Sequence, residues 1–257
     1  MKKNTFNLGI FLLIILISPS VVRAQRDSSV MRGRFLSVWE YSLSAGMTLG
    51  GSTPLTVPDE VNSIKKFRIQ PGLSLGAQVR YRFHSRWSVE SGLRFEMKRM
   101  EVTARTTHYN MVLIDPDGGE LKGVWTGYVK TDANNYYFSV PVRASWRATS
   151  DWRLRGGLFF SYAARRRFMG TVYDGYLRKD NPTGERIDID EARYDFSPDL
   201  SRFGWGVELG SSLQLSRRIS VYGDLSFQLN DIFRPGFRVL DFSLHPFYFN
   251  LGAAYTF

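Results

Sequence analysis

The sequence contains no cysteine. That excludes a disulfide framework, a thiolate metal site, a cysteine nucleophile and the acylated cysteine of a lipoprotein. Histidine is scarce, at three residues in 257, and no zinc-spaced set can be drawn from them. A Gly-rich phosphate loop and a nucleophile elbow are also missing, and no cofactor is expected. The apolar run Leu8 to Ile17 is ten residues long, half of the about 20 that a helix needs to cross a bilayer. Beyond it, no apolar stripe repeats at helical spacing.

Aromatic residues reach 15%, and there are 23 glycines. With 43% hydrophobic and 23% charged residues, the chain has the composition of a folded domain. Its N-terminus has the form of a secretory signal: Lys2 and Lys3, the apolar run, then Val22 and Ala24 before a cleavage point. Residues 1–24 are read as a signal peptide, 25–37 as a short N-terminal arm and 38–257 as the main domain. The formal charge of +10, less those of Lys2, Lys3 and Arg23, leaves +7. The basic residues alternate into apolar segments rather than forming a patch among exposed aromatics, so no nucleic-acid partner is expected.

Period two runs through the rest of the chain. Eight strands are expected: Trp39 to Gly50, Arg68 to Phe83, one from Trp87, Tyr136 to Trp146, Trp152 to Tyr162, Phe203 to Leu215, Ile219 to Asn230, and the ending "FYFNLGAAYTF", Phe247 to Phe257. Short connections (His84 to Arg86, Arg147 to Asp151, Ser216 to Arg218) alternate strictly with long ones. The expectation is an all-β, eight-stranded antiparallel up-and-down barrel, with long loops at one end and tight turns at the other. That asymmetry suits an outer-membrane barrel with both termini in the periplasm and long loops outside the cell. The run Asp115-Pro116-Asp117-Gly118-Gly119 is expected to turn a hairpin that prolongs the third and fourth strands. Arg166 to Ser201 is rich in charge and is expected to be exposed and the least ordered loop.

Alternation alone does not separate a membrane barrel from a soluble one. The tryptophans do. Trp39, Trp87, Trp146 and Trp152 share the apolar parity of their strands and lie near the short-turn end. With Tyr255 and Phe257 they make an expected girdle at a membrane–water boundary. Leu73, Val142, Leu158 and Leu225 share that parity and are expected to face lipid. The opposite face carries Arg80, Arg82, Glu90, Arg94, Arg143, Arg153, Arg155, Glu208 and Asp224, interleaved with Gly and Ser. These are expected to form ion pairs filling a narrow lumen.

The stretch "NYYFSVPVRASW" (Asn135 to Trp146) resembles the Tyr-containing strand with a mid-strand proline in Bacteroidetes outer-membrane β-barrel proteins, the group that includes PorT-like barrels. With the leader, eight strands and terminal Phe257, the chain also resembles eight-stranded barrels of the OmpA and OmpX type. The resemblance implies a monomer in outer-membrane lipid and lipopolysaccharide, and implies that the barrel-assembly machinery reads the terminal Phe. A role in a type IX-like secretion machine is one alternative. Pro141 removes a ladder donor, and a bulge is expected there.

Two further constellations are weighed. Ser243 and His245, with Asp241, are candidates for an outer-leaflet lipid A hydrolase, because acyl transfer needs a nucleophile, a base and an orienting group. The alternative is a polar strand end. Lys98, Arg99, Arg165, Arg166, Arg167 and Arg202 are candidates for lipopolysaccharide phosphates, against a solvated rim. The resulting expectation is a non-enzymatic barrel with a plugged lumen, serving envelope structure or interaction through its loops.

Overall fold

A computed structural model describes residues 38–54, 61–114, 119–237, 239 and 242–257. The segments read above as leader and arm (residues 1–37), Asp241, and Asp115 to Gly118 lie outside the described residues. Eleven strands are found among those described: β1 Trp39–Pro54, β2 Val61–Gln70, β3 Gly72–Arg82, β4 Trp87–Ile114, β5 Glu120–Arg147, β6 Trp152–Arg165, β7 Phe168–Lys179, β8 Arg186–Asp195, β9 Phe203–Gln214, β10 Ile219–Gln228 and β11 Leu244–Thr256.

Eight of them pair in a cycle. β1 pairs with β3, β3 with β4, β4 with β5, β5 with β6, β6 with β9, β9 with β10, β10 with β11, and β11 with β1. Every pairing is antiparallel. The last strand therefore needs no polar edge, because Leu43 meets Tyr255 and Ser42 meets Thr256 across the seam. The wall follows the period of the sequence. Leu73, Val142 and Leu158 are exposed on its outside at 44–46%, and Leu225 is half-buried there. On the same strands Glu90, Arg143, Glu208 and Asp224 point inward at about 1% exposure. An Arg placed at Val142 should lower the stability of the barrel in lipid by about 2–4 kcal/mol, because a guanidinium in hydrocarbon loses its hydration. Urea unfolding in phospholipid vesicles would measure it, and an unchanged midpoint would place Val142 away from lipid.

Two prolines interrupt the wall. Pro71 divides the second expected strand into β2 and β3, which follow one another along the same side of β4. The bend brings Gly72 so near β4 that an added Cβ would lie 1.7 Å from the carbonyl oxygen of Met97. Pro141 does not cause the expected bulge. The β4–β5 ladder lapses between the pairs Ser91–Val142 and Arg94–Ser139 and resumes in the same register. Omitting pairs where the proline lacks its N–H suffices, with Gly92 opposite.

The long-loop end differs from the expectation. The β4–β5 hairpin does continue past the wall, to the pair Ile114–Glu120. The segment Arg166 to Ser201, expected as an exposed loop, is instead a β7–β8 hairpin laid along β5, followed by one 3₁₀ turn, Ser197–Asp199. β2, β4, β5, β7 and β8 thus form a second sheet region above the wall, hydrogen-bonded continuously with it, with β8 reaching back to β4 at Ile114–Arg193. Met111, Leu113, Trp125, Phe168, Val172, Leu177, Tyr194, Phe196, Leu200, Ile232 and Phe233 pack into one buried cluster on its inner side. The charges of the segment misled because they alternate with that core: Arg178 and Asp188 point away while Leu177 and Tyr194 point in.

Candidate functional site in the lumen

The lumen is lined by the polar parity of the eight wall strands, and its charges meet in a chain from the short-turn end upward. Glu40 of β1 accepts from Arg80 at 2.6 Å and from Arg82 of the same strand. Arg80 also donates through Nε to Glu90 at 2.7 Å. Glu90 lies 3.5 Å from Arg143 and 3.8 Å from Arg155. Arg143 donates to Glu208 at 2.7 Å and to Asp224 at 3.3 Å, and Arg155 donates to Asp224 at 2.6 Å. Arg153 reaches Gln214 at 3.4 Å.

The chain continues above Glu208 through Arg94, expected on this inward face, and then through Glu96 and Lys98, which are not among the expected pairs. Arg94 grips Glu208 with both terminal nitrogens, at 2.5 and 3.2 Å, and its Nε lies 3.3 Å from Glu96. Ser139 donates to Glu96 at 2.5 Å, and Lys98 is 3.8 Å from it. Lys98, expected at the outer rim against lipopolysaccharide, is 3% exposed and lies inside the lumen. Its ammonium sits 5.1–5.5 Å from the ring centres of Tyr137, Phe159 and Tyr248. β4 runs on past the wall, so position 98 is no longer a strand end. Its even-numbered parity, shared with Glu90 and Arg94, was the available signal.

These charges are affordable only because each has partners. An isolated buried ion would cost several kcal/mol, and here carboxylates alternate with guanidinium groups across the lumen. Small residues make the space. A Cβ at Gly210 would lie 1.9 Å from Oδ1 of Asp224, the atom that Arg155 holds. Side-chain atoms of Ser74, Ser145, Ser212 and Asn250 are buried without a hydrogen-bond partner, so the lumen is dense in charge without being saturated.

At the short-turn end the girdle residues lie on the outside. Trp39 packs on Tyr81 at 4.7 Å between ring centres, Trp87 lies 6.5 Å from Trp146, and Tyr255 lies 5.3 Å from Phe257. Trp39, Trp87 and Phe257 are exposed, and Trp146 and Trp152 are half-buried.

The structure does not assemble a hydrolytic set from Ser243 and His245. Ser243 is exposed, while His245 is buried, with Nδ1 at 3.2 Å from the carbonyl oxygen of Gln228 and its ring stacked on Phe227. The imidazole is engaged in closing the top of β10 against β11. At the upper rim, Arg166 donates to the carbonyl of Leu200, while Arg165, Arg167 and Arg202 are exposed.

A family model described as the outer membrane protein beta-barrel domain matches residues 23–234. Among solved structures, the chain is similar to Ail, the attachment invasion locus protein of Yersinia pestis, at 14% identity over 86% of this chain and 100% of that one, with a TM-score of 0.40. It is similar to the outer membrane protein OprG of Pseudomonas aeruginosa at 12% identity, over 85% and 95% of the two chains, with a TM-score of 0.37. Outer Membrane Protein W of E. coli is 16% identical, over 86% and 100%, with a TM-score of 0.33. No curated protein matches the chain. The family model spans most of the sequence, and the chain belongs to the outer-membrane protein β-barrel domain family.

Proposed function

We propose that this protein is a non-transporting, non-enzymatic barrel that displays its second sheet at the cell surface, in an envelope structural or interaction role. One observation carries the reading. Arg143, with no exposed side-chain surface, is held among Glu90, Glu208 and Asp224 inside the lumen. Any solute path would have to break that group and then pass the apolar cluster above it, where Phe196, Phe233 and Phe237 pack ring to ring. An eight-stranded wall leaves room for side chains and little else.

The same reading puts the tight turns and both termini in the periplasm and the β4–β5 and β7–β8 hairpins outside. It takes residues 1–24 as the leader, 25–37 as an arm and 38–257 as a monomeric barrel, assembled by the machinery that reads terminal Phe257. Membership of the PorT-like Bacteroidetes group is part of the proposal, and rests on the Asn135 to Trp146 strand. The absence of a hydrogen-bonded Ser243–His245 pair among the described residues argues against the lipid-hydrolase alternative.

The test is electrical. Purified barrel in a planar bilayer should show negligible conductance. Steady conductance of porin size would overturn the reading.

A further inference from the structure

We propose that the upper outside rim of β4, β5 and β6 is a binding site for the phosphate-bearing head group of an outer-leaflet lipid. The inference rests on the orientation proposed above. Four guanidinium groups gather there. Arg165 lies over the ring of Tyr136 at 5.5 Å, and Arg202 donates to the hydroxyl of Tyr162 at 3.3 Å. Both tyrosines sit where the apolar outside of the wall ends: Tyr136 packs on Phe95 at 6.0 Å and Tyr162 on Phe203 at 5.4 Å. Arg99 faces Asn134 across the β4–β5 ladder, and its Nε and the Asn134 Oδ1 lie buried without a hydrogen-bond partner. Arg167 follows, tied to the backbone N–H of Asn134 through its carbonyl at 3.0 Å.

The acid that meets this group is Asp132, at a distant 4.0 Å from Arg167. One row higher the balance differs, because Glu101 stands between Arg68 at 3.9 Å and Lys130 at 3.8 Å. The rim is thus the row with the larger surplus of positive charge, four guanidinium groups to one acid against two cations to one above, and it lies directly above an aromatic surface. Guanidinium forks match phosphate oxygens two bonds at a time, and the exposed rings of Phe138 and Phe160 below would lie along acyl chains. A free anion would use the first feature only. A phosphorylated lipid uses both.

Native mass spectrometry of the detergent-solubilised full chain tests this with three probes: phosphorylated lipid A, the same lipid dephosphorylated, and inorganic phosphate. Retention of phosphorylated lipid A is expected, with about tenfold weaker retention of the dephosphorylated form. The triple variant Arg99→Gln, Arg165→Gln, Arg167→Gln should lose about tenfold, Arg167→Gln alone about threefold, and Arg68→Gln nothing measurable. Folding of each variant is checked by its heat-dependent gel shift, and the single variant serves if the triple one does not fold. Equal retention of both lipids, or unchanged retention in the variants, would overturn the site. Displacement of lipid A by millimolar inorganic phosphate would overturn its assignment to a lipid. Protease treatment of intact cells tests the orientation separately: if the long-loop end is shielded while lipid A is still retained in detergent, the orientation fails and the phosphate site stands.

Discussion

Replacing Glu208 by Ala should lower the unfolding free energy of the barrel by about 3–5 kcal/mol, because it leaves buried guanidinium groups without their carboxylate. Glu208 is 1% exposed and is the point where two arginines meet: Arg94 through both terminal nitrogens and Arg143 at 2.7 Å. After the substitution Arg94 keeps only Glu96, at 3.3 Å, and Arg143 keeps Asp224 and Glu90 at 3.3 and 3.5 Å. Those contacts are longer and already shared with Lys98, Arg155 and Arg80. Glu208→Gln should cost less, since the amide keeps the shape and one acceptor. Asp190→Ala, on the exposed side of β8, should stay within about 0.5 kcal/mol of wild type. Urea unfolding of the three variants in phospholipid vesicles gives the comparison. A Glu208→Ala midpoint equal to that of wild type would mean that water, not Glu208, carries the charge of Arg94 and Arg143.

The two halves of the molecule were unequally legible in the sequence, for a physical reason. Wall strands obey one rule along their whole length, apolar outward and small or charged inward, so each of the eight announces itself. That parity is also enough to place Arg80, Arg143, Glu208 and Asp224 on one face. It does not say which carboxylate meets which arginine, because that depends on the stagger of strands around the closed cycle. Arg94 and Glu208 are 114 residues apart, and only closure brings them together. Lys98 shows the complementary error. Counting from the strand end puts it at the rim, while parity, followed along β4 from Glu90 through Arg94 and Glu96, puts it inside.

The second sheet hides for another reason. Its strands alternate too, but between a small apolar core and open solvent, so charge dominates the composition of β8. Shifts of register between Thr106 and Tyr109 in β4 and between Thr126 and Tyr128 in β5 also move the inward parity part-way along. After them Met111 and Leu113 point inward where even-numbered residues did before.

Trp125→Ala should open that second sheet while leaving the wall folded. Trp125 has no exposed surface and stands in the middle of the apolar cluster. Its ring fills the space left by two glycines: a Cβ added at Gly127 or at Gly175 would come within 2.6 Å of it. Truncating a buried Trp costs about 3–5 kcal/mol, from lost burial and the cavity left behind. Beyond its ladder to β5, the pair Ile114–Arg193 and the Tyr194 hydroxyl at 2.6 Å from Thr131, the β7–β8 hairpin is anchored by Leu177, Val172 and Tyr194 in this same cluster. In wild type, trypsin should cut this end chiefly at the exposed Lys179 and Arg186 that flank the hairpin turn. In Trp125→Ala the cuts should spread to Lys130, Arg167 and Arg193 within and beside the strands. The heat-dependent gel shift of the barrel should persist, because the lumen network from Glu40 to Glu96 does not include Trp125. Trp39→Ala, on the outside of the wall, should leave the cutting pattern as in wild type. If Trp125→Ala is cut only where wild type is, the second sheet is held by its ladders and not by its core.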